Sequence, residues 1–352
     1  MKKNLFTLVF VAFTTLCLCA SVSAQTVRRV NKTPGLNDPA IYTSVQAAHD
    51  ASADGDIIYV EPTDVDYGGY GSVTFNRRVT LIGTGFDLRT TPNTSFDKRQ
   101  VSMDYIYFEN GSAGSLVMGM IASYIYIRDI NCTVTRCVVN SGVIMDRALT
   151  LLGGVYSYGN NPTITNCRLS YISGGQATNA IISNNIGDLT INELTGAVIN
   201  YNTIYCSNGV RFNNVDGSTI TNNIFDARDR TLGYLVMDGA SNGTTVSNNL
   251  CTNIAGLPTG GGNVNSTNPN LVFITANPWA VSPYIDNNIQ LAASSPAKTV
   301  GPGSTPVGAF AGNNPYVLSG VPNVPVITTF FNTGAGTTAT PLSVTISVRS
   351  AN

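Results

Sequence analysis

Between Thr163 and Asn253, apolar and polar side chains alternate in short bursts: TITNC, AIISNN, AVINYN, STITNN and TTVSNN. Val, Ile and Thr dominate, so each burst predicts a short strand with one buried face. The closing Asn-Asn predicts a tight bend, because Asn tolerates the left-handed backbone conformation and hydrogen-bonds locally. Aligned on their last position, the phrases end at Cys167, Asn185, Asn202, Asn223 and Asn249, and TVTRC ending at Cys137 fits upstream. The steps are 30, 18, 17, 21 and 26 residues. An irregular period near twenty predicts stacked coils joined by loops of varying length. One strand cannot bury a face alone, but a stack can. The asparagines at the phrase ends are therefore expected to form a buried ladder that satisfies turn backbone, in preference to binding a ligand.

Upstream, Ile41 to Asp50 has the pattern of a short amphipathic helix. Asp54-Gly55 predicts a turn, Ile57 to Val60 a strand, the run Tyr67-Gly68-Gly69-Tyr70-Gly71 a loop, and Val79 to Gly83 a second strand. A helix there suits a cap, since the first coil of a stack otherwise exposes an apolar end. The run from Tyr42 through AAHDASADGDIIYVEP to RRVTLIGTG resembles the N-terminal segment of secreted right-handed parallel β-helix proteins, the pectate-lyase-like superfamily. With the Asn-ended phrases, the resemblance spans about Thr26 to Thr299. It implies an all-β solenoid with three strands per coil. Ser218 to Asn222 and Ile224 to Asp226 are then successive strands, and Leu189 to Leu194, Val210 to Val215 and Gly233 to Asp238 open successive coils, with Ile125 to Ile130 earlier. Thr195-Gly196, Asp216-Gly217 and Asp238-Gly239 fall in register. About ten coils at ~4.8 Å each make a rod of roughly 50 Å.

The expected organisation is a leader at 1–24, a capped β-helix over 25–300 and a closing segment at 301–352. Lys2 and Lys3, the apolar run Leu5 to Ala20 and the small residues before Gln25 have the form of a secretory signal peptide. Leu18 stands before Cys19 where a lipoprotein has a small residue. No later stretch reaches the ~20 apolar residues that span a bilayer, so the expected location is extracellular, cell-surface or periplasmic. Two strands, Val324 to Phe331 and Pro341 to Val348, end the chain. They are expected to pair over the last coil and block its edge, with self-assembly or sorting as the alternative.

Without Lys2 and Lys3 the chain carries 17 basic and 20 acidic side chains, a formal charge of −3, and only 11% of all residues are charged. There is no basic stripe, so nucleic acid is not an expected partner. Five cysteines remain: Cys132, Cys137, Cys167, Cys206 and Cys251. Cys137 and Cys167 occupy equivalent positions, where a buried thiol pair is preferred to a disulfide.

His49, the sole histidine, falls in the cap helix as a surface residue, which removes His-dependent triads and His-rich metal sites. Neither the Gly-His-Gly nor the paired aspartates of related polygalacturonase-like hydrolases occur. The lyases of the superfamily imply an Arg or Lys base and Ca²⁺ held by clustered carboxylates. The best match is one groove with Arg211 or Arg228 as base and Asp216 and Asp238 as ligands. Arg211, Asp226, Arg228, Arg230 and Tyr234 would contact substrate there, with Asp229 beside them. The simpler alternative is a row of turn aspartates and a self-neutralising Asp-Arg loop. Trp279 and Tyr284 could form a sugar platform or pack on the last coil. Two functions follow. The favoured one is a non-catalytic exported protein offering a rigid face for polysaccharide binding, adhesion or surface structure, without a cofactor. The other is a Ca²⁺-assisted lyase of an acidic glycan.

Overall fold

The computed structural model describes residues 25–36, 38–63, 69–90, 95–146, 159–207, 209–230, 241–280 and 286–350. The leader, Tyr234, Asp238 and Tyr284 lie outside them. Strands of successive coils pair in parallel into an eleven-stranded and a thirteen-stranded sheet. The larger sheet is bent: Val138–Met145 pairs with Arg168–Leu169 through one half and with Tyr171–Ser173 through the other. Each coil therefore has three faces. The first holds Thr163–Thr165, Ile181–Ser183, Val198–Asn200, Thr219–Thr221 and Thr245–Ser247. The second holds Arg168–Leu169, Ile186–Gly187, Thr203–Tyr205, Ile224–Asp226 and Leu250–Thr252. The third holds Tyr171–Ser173, Thr190–Thr195 and Phe212–Asp216, preceded by the later halves of Ser102–Phe108, Ile121–Ile127 and Val138–Met145. This is a parallel β-helix, of the right-handed form that parallel crossovers favour.

Alternation along the strands builds the interior. On the third face Ile106, Ile125, Val143, Ile172, Ile191 and Phe212 stack in register, all buried. Their neighbours along each strand point outward from this interior, because side chains alternate across a strand. The cap helix is Val45–Asp50, with the Ser44 hydroxyl accepting from the Ala47 amide at 3.1 Å. His49 departs from its expected surface position. It is fully buried, stacks on Phe75 at 5.3 Å, and its Nε2 accepts from the Asn76 amide at 3.3 Å. The cap must cover the apolar end of the stack, and the histidine belongs to that cover.

The bend between the first and second faces explains the Asn-Asn phrases. Asn166, Asn184, Asn222 and Asn248 hold positive φ, as do Arg136 and Tyr201 at equivalent positions. The next residue turns inward. The Oδ1 atoms of Asn185, Asn202, Asn223 and Asn249 accept from the amides of Cys167, Asn185, Asn202 and Asn223 at 2.8–3.0 Å. Their Nδ2 atoms donate to carbonyls of the preceding coil, such as Asn202 to Ile182 at 2.9 Å. The buried ladder is present, and Asn263 extends it, accepting from the Asn249 amide at 3.1 Å. Cys137 and Cys167 continue it as thiols, with the Cys137 amide 3.5 Å from the Cys167 sulfur.

The C-terminal segment departs from expectation. After the last coil strand, Val264–Thr267, the chain returns along the outside of the stack. Gly308 donates to the Asn222 carbonyl at 2.8 Å, Asn184 donates to the carbonyls of Ala309 and Ala311, and Asn166 Oδ1 accepts from the Val317 amide at 2.7 Å. Arg136 then donates to the Val321 carbonyl at 2.8 Å, and a side chain at Gly119 would collide with Pro322. The returning strap thus crosses the left-handed corners in reverse order. Above it, Val272, Phe273, Trp279, Ile289, Val307 and Tyr316 cover the outward residues Val138, Ile186, Ile224 and Leu250 of the second face. The terminal strands Pro325–Asn332 and Val344–Ser350 pair only with each other, antiparallel. They sit by the N-terminal coils, where the Phe96 amide donates to the Ile327 carbonyl at 2.7 Å, and not over the last coil. The strap has carried them the length of the rod.

Candidate functional site

The constellation drawn from the sequence is taken up in structure. Asp226 is fully buried on the second face. It accepts from Trp279 Nε1 at 2.7 Å, from the Thr252 hydroxyl at 2.8 Å, and from Arg228 at 2.6 and 2.8 Å. Arg228 also donates to the carbonyls of Ala276 and Pro269, and its side chain is 5% exposed. Arg230 is buried and donates to the carbonyls of Cys206 and Gly209 at 2.9 and 3.0 Å. Arg211 does stand beside inward-facing Phe212, but it too is buried and pairs with Asp188 at 2.5 Å. All four side chains are thus engaged in pairing and packing in this structure. Arg228 pairs with Asp226 and Arg211 with Asp188, because an unpaired buried ion is costly.

The remaining candidates part company. Asp216 lies at the end of a third-face strand in register with Thr195, and its Oδ1 accepts from the Asn242 amide at 2.7 Å. Asp229 is exposed and receives the Tyr205 hydroxyl. Among the described residues no three His, Cys, Asp or Glu side chains gather as metal ligands; Ca²⁺ asks for several oxygens, which Asp216 does not supply by itself. Trp279 stacks on Tyr205 at 5.0 Å and is 9% exposed, so it packs on the stack and offers no platform.

The stack exposes its first face, where Ile181 and Val198 are open to solvent, and its third, which carries the aromatic residues. Tyr105 lies opposite Tyr124 and Tyr107 opposite Tyr126 on adjacent coils. The first pair of rings is 6.1 Å apart and the second 4.9 Å, both 15° from parallel. Rings in flat contact would be about 3.5 Å apart, so these are offset stacks. Tyr105 is 38% exposed and the other three are half-buried. Arg128 braces the patch, lying 4.9 Å from the Tyr126 ring centre and held by Glu109 and Asp146 at 2.6 Å each. Burial, then the neighbouring phenols, push the Tyr126 pKa up, so its hydroxyl stays protonated at neutral pH.

Toward the C-terminal coils the same register changes character. The column of Tyr107 and Tyr126 continues through Ile144, Ser173, Asn192 and Asn213. Asn213 Nδ2 donates to Asn192 Oδ1 at 2.6 Å, and Asn192 Nδ2 donates to the Tyr171 hydroxyl at 3.1 Å. Tyr171 is seated over Gly142, where an added Cβ would lie 3.1 Å from its ring. Beyond them an open groove of about 410 Å³ is lined by Gly175, Gln176, Glu193, Thr195, Asn214 and Asp216. An aromatic patch thus runs into a strip of amides and hydroxyls along one straight face.

No family profile and no curated protein matches this chain. Among solved structures, the crystal structure of pectate lyase Pel9A is similar at 14% identity and a TM-score of 0.40, over 82% of this chain and 98% of that one. The strand registers themselves carry the assignment. The fold is a parallel β-helix. Among the described residues, no helix is long and apolar enough to cross a membrane.

Within this β-helical frame, the tyrosine patch is the feature that sequence reasoning missed. Its signal was present as YIYF at 105–108 and YIYI at 124–127, a Tyr-Ile-Tyr repeated after 19 residues. The period-two rule puts both tyrosines of each triplet on the face opposite the buried Ile106 and Ile125.

Proposed function

We propose that this chain is an exported, non-catalytic β-helix protein that binds polysaccharide along its third face. The observation that carries the reading is the pair of in-register tyrosine rows continuing into the Tyr171, Asn192 and Asn213 hydrogen-bonding strip. Tyrosine offers broad amphipathic contact at small conformational cost, and amides supply both donors and acceptors to a hydroxyl-rich chain. A rigid rod that repeats every coil presents this surface to several sugar units at once. The leader-like first residues support export. Adhesion or a surface-structural role would use the same contact.

The lyase alternative asks for a basic side chain placed to take a proton. The engagement of Arg228 with Asp226 and of Arg211 with Asp188 favours binding without chemistry. Retention of the mature protein on a panel of immobilised polysaccharides tests the reading. Retention by at least one glycan, without the ultraviolet absorbance of an unsaturated uronate, is the expected result. Appearance of that absorbance would replace it with the lyase, and no retention anywhere would remove it.

A further inference from the structure

Resting on that proposed binding face, we propose that its ligand is an uncharged polysaccharide, and that the face discriminates against polyuronates and sulfated glycans by charge. The argument is the distribution of the few ionised groups. On and beside the tyrosine and amide coils stand Asp104, Glu109, Asp146, Asp188, Glu193 and Asp216, against Arg128 and Arg211, with Arg77 on the first coil donating to the Asp50 and Ser52 carbonyls. Both arginines are spent: Arg128 on Glu109 and Asp146, Arg211 on Asp188. Asp104 and Glu193 are exposed and Asp216 half-exposed, and none of the three forms an ion pair with a described residue. The stretches 147–158 and 231–240, outside the described residues, follow in sequence and contain one basic and one acidic residue, Arg147 and Asp238.

A carboxylate polymer laid along this face would bring a charge on every sugar toward Asp104 at the tyrosine end and toward Glu193 and Asp216 at the groove. Like charges so placed are repelled, and the repulsion weakens with added salt. A neutral chain meets no such barrier, and its hydroxyls can bond the Tyr171, Asn192 and Asn213 groups as donor or acceptor. The tyrosines serve either ligand equally. Specificity therefore lies in what flanks them, a repulsive element set against the wrong partner.

The test is retention of the full mature chain on matched neutral and acidic polysaccharides at low and at high salt, with an Asp104→Asn/Glu193→Gln variant alongside. The expected result is a preference of about tenfold or more for neutral chains at low salt, shrinking at high salt. The variant should gain acidic-glycan retention, with its fold checked by circular dichroism. Equal or stronger binding of polyuronate by the unaltered protein at low salt would overturn the charge argument and leave polysaccharide binding standing. Binding of neither class would overturn both.

Discussion

Asn184 and Asn185 are adjacent in the chain and serve opposite sides of the wall. Asn184, at φ +55°, sends its amide outward to the Ala309 and Ala311 carbonyls of the returning strap. Asn185 sends its amide inward to the Ile164 carbonyl and to Asn202 Oδ1. One bend thus joins coil to coil on the inside and stack to strap on the outside. The pair repeats at Asn166-Cys167 and Asn222-Asn223, where the strap binds Asn166 Oδ1 and the Asn222 carbonyl.

The inner member should matter for global stability. Asn202→Ala removes the acceptor of the Asn185 amide and the donor to the Ile182 carbonyl, both buried. Stranding such groups costs about 3 kcal/mol. Urea denaturation should show that loss, while the outward Asn213→Ala stays within about 0.5 kcal/mol of the parent. Equal effects would contradict the ladder.

The outer member should matter locally. Asn184→Gly keeps the positive φ at little cost and deletes the bonds to the strap. Amide exchange over Ala309 to Tyr316 should quicken by about tenfold or more while the coils keep their protection. Unchanged exchange there would mean that the strap is held by its apolar cover alone.

His49 gives the pH prediction. Burial is the largest influence on its imidazole and lowers the pKa from the ordinary 6.5, against the opposing Asp50 bond. A group neutral when folded and protonated when unfolded stabilises the fold above the unfolded pKa. That contribution fades as pH falls from about 6.5 toward the folded value. The single histidine makes NMR titration direct: its ring should titrate with a midpoint below 6.5. A midpoint at or above 6.5 would contradict the buried cap.

The cysteines give a chemical check. All five described cysteines are buried thiols, and burial pushes Cys132 up to about 12 and Cys251 up to about 11. Because the thiolate is the reactive form, native protein should resist alkylation and unfolded protein should react at all five. Two thiols missing after unfolding would reveal a Cys137–Cys167 disulfide.

The coil architecture was legible because it is local and repeated. A strand of alternating side chains followed by Asn-Asn announces its own bend, and the phrase STITNN does hold the strand Thr219–Thr221. The site was less legible because it depends on which outer face the chain later covers. Nothing near Ile186 or Ile224 says that Val272 and Phe273 will cover them. Asp226 and Arg228 read as a groove because their partners, Trp279 for Asp226 and the Ala276 and Pro269 carbonyls for Arg228, lie more than 40 residues along the chain. The tyrosine repeat was visible, yet it looked like any two strands until the registers aligned Tyr105 with Tyr124 and Tyr107 with Tyr126. The destination of the terminal strands was hidden for the same reason, since it follows from the path of the strap.

The central claim is that the third face, and no other, contacts polysaccharide. Calorimetric titration of a retained glycan into the parent, a Tyr107→Ala/Tyr126→Ala variant and a first-face Thr219→Ala/Thr245→Ala variant addresses it most directly. The tyrosine variant should lose about tenfold or more in affinity, roughly 1.4 kcal/mol, with its melting transition preserved, and the threonine variant should bind as the parent does. Undiminished binding by the tyrosine variant, or a loss confined to the threonine variant, would contradict the claim.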